Sequence, residues 1–202
     1  MRQPLRFHSL LGYLVLASSL VTFACHNSSP STAGGESISK IVVTSNPGGP
    51  VTIRTSAAEF EILPSGYVQA YLLKEGKRLT LDDPQGAATE SANSVVAAGK
   101  EIADFTLDLD HVKVSAARGK IGEQGKRVEI TGRNKAENGA ALEESLVFEA
   151  YDDFPGLLVT SAAYRNLGAK PLSLEKVVAN RHRLNASLSD PGVPPYQLWS
   201  YH

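Results

Sequence analysis

The stretch LVFEAYDDFPGLLVTSAAYRN, from Leu146 to Asn166, contains two runs rich in apolar and β-branched residues on either side of Pro155-Gly156. Such runs around a proline-glycine break are typical of two strands of a hairpin. The segment just upstream also places Leu142, Leu146 and Ala150 at helical spacing, and its Glu, Ala and Leu residues favour a helix. We predict strands here, because the flanking run alternates and the break is a turn signal.

The rest of the chain shows the same strand period. The segments ISKIVVTS and PVTIRTS flank the turn signal NPGG, and YVQAYLLKEGKRLTLDD predicts two strands joined at Glu75-Gly76. In EIADFTLDLDHVKVSAA, apolar and acidic residues alternate over a long distance, and KRVEITGRN is predicted to pair with it across GKIGEQGK. With convincing helix signals lacking, the sequence predicts an all-β fold, an antiparallel β-sandwich spanning residues 38–202.

The N-terminus has the layout of a secretory signal. Arg2 and Arg6 precede an apolar run that ends at Ala24 and Cys25. The run from Leu10 to Ala24 is shorter than the roughly 20 residues that a membrane-spanning helix needs. We therefore predict a signal over residues 1–25, a polar tether over residues 26–37, and export to the periplasm, the cell surface or the medium.

Cys25 is the sole cysteine, so the chain cannot form an internal disulfide. Its place after an apolar signal resembles the lipid acceptor of bacterial lipoproteins, which implies anchoring in a membrane. Thr22 and Phe23 depart from that pattern, where a leucine and a small residue are usual, whereas Ala24 fits. Lipid attachment and simple cleavage both stay open.

The charge pattern argues against a nucleic-acid partner. Removal of the signal takes away Arg2 and Arg6 and changes the formal charge from −1 to −3, and the remaining charges are interspersed. Phosphate binding needs clustered lysine and arginine.

Several residues invite a catalytic or metal-binding interpretation. Adjacent residues of a strand point to opposite faces, so Asp152 and Asp153 would not converge on one sugar as a glycosidase pair does. A turn is the better interpretation of these two residues. Asp104, Asp108 and Asp110 follow the strand period, which favours a solvated sheet face over cation ligands. His111, His182 and His202 lack metal-ligand spacing, and no cofactor is predicted. The tail PPYQLWSYH offers Trp199 and Tyr201, beside Tyr196, to stack on sugar rings or to anchor a following domain.

The chain from Tyr151 onward resembles the end of the N-terminal domain of family 36 glycoside hydrolases, the α-galactosidases or melibiases. The similarity covers about the last quarter of the chain, and its motifs are structural rather than catalytic. The matching features are Tyr151, Asp152, Pro155, Gly156, Tyr164, Asn166 and residues 171–177 and 195–200.

This resemblance implies a large β-sandwich of the supersandwich type seen in mutarotase relatives, placed before a (β/α)8 barrel. It also implies that the two catalytic aspartates lie in that barrel, beyond His202, and that the barrel binds the α-galactoside. The expected function is then a non-catalytic part of an exported glycoside hydrolase, inactive alone, with Trp199 and Tyr201 as the candidate sugar contacts.

Two alternatives remain open. One is a free-standing carbohydrate-binding module that uses the aromatic tail. The other is a sugar epimerase of the mutarotase type, whose general acid and base would come from His111 or His182 with Glu149 or Glu175.

The lipoprotein prediction can be tested by substitution of the acceptor. In a bacterial host fed labelled fatty acid, we expect the wild-type chain to incorporate label and Cys25→Ala to lose it, because the thiol is the acylated group. Equal labelling of the two forms, or none in either, would remove the lipid anchor and leave the export prediction standing.

Overall fold

The computed structural model describes residues 39–80, 82, 91–119, 121–135 and 140–184. Within these ranges the chain forms strands, turns and extended segments and no helix, so the all-β prediction is confirmed. In chain order the strands are β1 (Val42–Ser45), β2 (Val51–Arg54), β3 (Ala58–Ile62), β4 (Val68–Lys74), β5 (Lys77–Leu79), β6 (Ser94–Ala97), β7 (Lys100–Ile102), β8 (Thr106–Leu107), β9 (Lys113–Ala117), β10 (Gly125–Arg133), β11 (Leu142–Tyr151), β12 (Leu158–Asn166) and β13 (Leu174–Val178).

The strands form three antiparallel sheets. The first is a meander in the order β1-β2-β3-β4-β5. The second has the order β12-β11-β10, with β8 and β9 both paired to β10. The third is small and has the order β13-β6-β7.

The first two sheets pack face to face and share the main hydrophobic core. The inner positions of both sheets belong to one buried cluster, as a sandwich requires. A second cluster joins Val95 and Ile102 of the third sheet to Leu142 of the second sheet and to Phe105, which directly precedes β8. The buried apolar side chains of the main cluster include Val51, Ile53, Phe60, Ile62, Val128, Ile130, Leu146 and Phe148.

The predicted hairpin around Pro155-Gly156 is present. Its two strands pair in register from Leu142 opposite Asn166 to Ala150 opposite Leu158. Along the first half of β11, buried and half-buried residues alternate with a period of two. A helix would not bury every second residue, so the strand interpretation of this segment is confirmed.

The long alternating segment is interrupted where the sequence predicted continuous alternation. Leu107 pairs with Gly132 and Lys113 pairs with Glu129, so residues 108–112 stand opposite only residues 130 and 131. The extra residues form a long, irregular bulge along one edge of β10. Asp108 stabilises it, because its carboxylate accepts hydrogen bonds from the Asp110 amide at 3.2 Å and the His111 ring at 2.8 Å.

Two hairpins close through two-residue loops, Glu75-Gly76 and Ala98-Gly99. All four residues have positive φ, with Glu75 at 51° and Ala98 at 50°. Positive φ at both loop positions is the geometry of a type I′ turn, whose twist matches that of the strands. Glycine adopts it freely, whereas Glu75 and Ala98 carry a Cβ that disfavours it.

We expect Glu75→Asn and Ala98→Asn each to stabilise the protein by about 0.5–1 kcal/mol, because asparagine tolerates the left-handed conformation. Urea unfolding of each variant checks this. Glu75→Val and Ala98→Val are the matched controls, and we expect them to destabilise the protein, since β-branched residues resist positive φ. Loss of stability in both asparagine variants would contradict the turn assignment.

Candidate functional site

A groove of about 680 Å³ opens beside the inner face of the first sheet. Phe60, Leu72 and Leu79 contribute to its apolar wall, and Leu184 faces them from the segment after β13. Leu72, Leu79 and Leu184 are 52%, 43% and 47% exposed, so this wall is open to solvent. We call it the His182 groove, because His182, Asp82 and Thr80 supply polar side chains to its lining.

Asp82 is the organising residue of the groove. Its side chain is almost completely buried, and both of its oxygens accept hydrogen bonds. Oδ1 accepts from the Tyr67 hydroxyl at 2.8 Å and from His182 Nδ1 at 3.1 Å, while Oδ2 accepts from the Ala70 amide at 2.8 Å. A buried carboxylate is tolerated when it is satisfied in this way.

These hydrogen bonds control the charge of Asp82. Burial acts to raise the pKa of the carboxyl, but the hydrogen bonds from His182, Ala70 and Tyr67 outweigh it and hold the pKa below its usual value. Asp82 is therefore ionised at neutral pH. Because an ionised carboxylate only accepts hydrogen bonds, the proton of a neutral His182 ring sits on Nδ1, which leaves Nε2 as an acceptor.

The segment that carries His182 is fixed by its backbone. The Arg181 amide donates to the Ala92 carbonyl at 2.8 Å, and the Arg183 amide donates to the Tyr67 hydroxyl at 3.0 Å. Leu184 forms an isolated antiparallel bridge with Asp82. The His182 ring also packs edge-on against Tyr67, with centroids 5.5 Å apart, and its side chain is 37% exposed. The imidazole is thus held on both sides and remains accessible.

Comparison of the chain with protein-family models, with curated proteins and with solved structures found no match. The glycoside hydrolase resemblance and the activity that it implies therefore stay predictions.

Asp152 and Asp153 hold the turn that the sequence predicted for them. The Asp152 carboxylate accepts from the Lys40 amide at 3.1 Å, which ties the start of the described chain to the hairpin. The Asp153 carboxylate accepts from the Glu123 amide at 2.9 Å. Each carboxylate therefore stabilises the backbone of a different neighbouring segment.

The aspartates of the alternating segment also act on the backbone. Asp104 accepts from the Lys135 amide at 3.1 Å, Asp108 stabilises the bulge, and Asp110 accepts from the Gly48 amide at 3.3 Å.

Across the described ranges, no three His, Cys, Asp or Glu side chains are grouped so that they could hold a metal ion. Over the same ranges, the structure has no helix long and apolar enough to cross a membrane.

The histidines and glutamates considered for an epimerase each contact another residue in the structure. His111 contacts Asp108, and His182 contacts Asp82. Glu149 forms a cross-strand ion pair with Arg127 at 2.7 Å, and Glu175 accepts from the Gly99 amide at 3.0 Å. His182 lies in the extended segment after β13.

Several predicted residues lie outside the described ranges. They are Cys25, the signal and tether of residues 1–37, Tyr196, Trp199, Tyr201 and His202.

The sequence did not lead us to predict Asp82 and Tyr67 as site residues. An acidic residue directly after a strand was the available signal for Asp82, but its partner His182 is 100 residues away in the chain.

Glu144 is a second buried carboxyl, in β11. It is fully buried, its Oε1 accepts from the Tyr164 hydroxyl at 2.9 Å, and its Oε2 has no hydrogen-bond partner within the described part of the chain. Burial raises the pKa of Glu144 to about 7, against a smaller opposing effect of the Tyr164 hydrogen bond. Glu144 therefore titrates near neutral pH inside the sheet.

The raised pKa makes stability depend on pH in a defined window. Between pH 4.5 and about pH 7, the folded state keeps the Glu144 proton that the unfolded state has lost. Stability therefore falls as pH rises through this window and stays lower above it. We expect Glu144→Gln to remove this loss, so that the variant gains about 3 kcal/mol relative to wild type between pH 4.5 and pH 8.

Urea unfolding at several pH values measures this difference, and Glu143→Gln is the matched control on the same strand. Burial acts to raise the pKa of Glu143, but its hydrogen bonds from Arg133 and Arg165 outweigh burial and lower it. The stabilisation that Glu143 provides is therefore complete above pH 5 and is lost only at lower pH, so we expect the Glu143→Gln curve to run parallel to wild type from pH 5 to pH 8, at lower stability. Parallel curves for Glu144→Gln and wild type would show that the carboxyl is already ionised at pH 5.

Proposed function

We propose that this chain is a non-catalytic β-sandwich portion of an exported α-galactosidase-like glycoside hydrolase, which supports a catalytic barrel outside these 202 residues. The observation that carries the proposal is that the carboxylates considered for catalysis stabilise neighbouring parts of the fold. Asp152, Asp153 and Glu175 accept hydrogen bonds from backbone amides, and Glu149 is held in an ion pair with Arg127.

Hydrolysis of a glycoside needs two carboxyl groups that converge on one bond, about 5–5.5 Å apart in a retaining enzyme and about 6.5–9.5 Å apart in an inverting one. Carboxylates that brace separate turns and strands do not supply such a pair. The arrangement supports a framework role. The resemblance of the segment after Tyr151 to the N-terminal domain of family 36 enzymes supplies the class of the supported reaction and its substrate, an α-galactoside.

The three antiparallel sheets are consistent with this role. Strand β12 is the last strand of its sheet, and the third sheet has β13 and β7 at its ends. A framework domain needs a rigid sandwich whose surface can take further contacts, and an interface between domains resembles other protein interfaces. The carbohydrate-binding alternative rests on Trp199 and Tyr201 and stays a prediction.

We expect the purified chain to release no product from a chromogenic α-galactoside. The double variant Asp152→Asn/Asp153→Asn is the control, since it removes the adjacent carboxylates without changing side-chain size. Turnover by wild type above this control would overturn the framework role.

We also expect the coding sequence to continue past codon 202 into barrel strands, and a stop codon at that point would contradict the proposal independently of any assay.

A further inference from the structure

We propose that the His182 groove is a binding site for small apolar molecules that carry a hydroxyl group, of the class of phenols and apolar alcohols. The inference does not depend on the proposed function, because it concerns a binding site rather than the support of a barrel. It follows from the shape of the groove, from its apolar wall and from the hydrogen-bonding state of one side chain.

The volume and the lining fit a small organic molecule. Small-molecule sites occupy about 300–1,000 Å³ and are lined mainly by apolar side chains with a few placed polar groups. The His182 groove has about 680 Å³, and its apolar wall includes Phe60, Leu72, Leu79 and Leu184. Aliphatic side chains make up most of this wall, which favours an apolar ligand body over a highly hydroxylated one.

The polar group is placed and oriented. Asp82 fixes the ring of His182 through Nδ1, and Tyr67 packs against that ring. The ring is therefore pre-organised, so that little conformational freedom is lost when a ligand binds. Because Nδ1 donates to Asp82, Nε2 of the neutral ring is an acceptor, and its natural partner is a hydroxyl donor.

The charge of the site favours the same class of ligand, neutral molecules with a hydroxyl group. Asp82 is ionised and lies beside His182, so an anionic ligand head would meet a carboxylate within the site. A neutral hydroxyl avoids this repulsion and supplies the proton that Nε2 accepts. An apolar molecule without a hydroxyl would fill the groove and leave Nε2 without a partner, which costs affinity when the groove is desolvated.

A pair of matched ligands tests the inference, 4-ethylphenol and ethylbenzene, which differ only by the hydroxyl. By calorimetric titration of the full chain we expect one site for 4-ethylphenol, with about tenfold tighter binding than for ethylbenzene. In His182→Phe, which keeps an aromatic ring but loses the acceptor, the two ligands should bind equally well. In Leu79→Gln, both should bind several-fold more weakly, since an exposed part of the apolar wall becomes polar.

His111→Phe is the matched control, because His111 also pairs with an aspartate but does not line the groove. It should behave as wild type. Equal affinity of the two ligands for wild type, no binding of either, or a hydroxyl preference that persists in His182→Phe would each overturn the proposal. Tighter binding of galactose than of 4-ethylphenol would also overturn it, in favour of a sugar site.

A second readout needs no variant and covers the case in which His182→Phe does not fold. Nitrogen-15 NMR of the wild-type histidine rings should show His182 as the Nδ1-protonated tautomer. Titration with 4-ethylphenol should shift Nε2 of His182 and leave the His111 signals in place. A protonated Nε2 in the free protein, or a shift that ethylbenzene reproduces, would contradict the assigned donor and acceptor.

Discussion

The register of β11 between β10 and β12 is the constraint on which the rest of the structure depends. β11 pairs with both neighbours along almost its whole length, and a shift by one residue would move Leu146 and Phe148 from the core to the opposite face. The same period that buries these residues also buries Glu144. Its raised pKa is therefore a consequence of register, because the sheet places a carboxyl where every second residue must be apolar.

Much of the fold could be predicted from the sequence, because the relevant signals are local. The Pro155-Gly156 break, the Glu75-Gly76 turn and the alternation of Phe105, Leu107 and Leu109 all reflect contacts between residues that are close in the chain. The bulge at residues 108–112 was not predicted. Its acidic residues continue the alternating pattern, and only the pairing of Leu107 and Lys113 with β10 shows that extra residues are present.

The candidate site could be predicted only in part. His182 was noticed as a residue type, but its partner was sought among glutamates rather than at Asp82. Neighbouring residues in the chain do not determine which carboxylate an imidazole meets. The packing of the segment after β13 against Tyr67 and Ala92 determines it, and such packing has no sequence period. Asp152 and Asp153 were understood correctly because a turn is local.

The hydrogen bond from the Arg183 amide to Tyr67 joins residues 116 positions apart, and the one from His182 to Asp82 joins residues 100 positions apart. The hairpins, by contrast, close over short loops. Chain entropy therefore favours formation of the hairpins before the groove, which needs contacts between residues far apart in the chain. Insertion of a flexible segment into one of the hairpin loops would therefore lengthen a short closure, whereas the histidine site already depends on long ones.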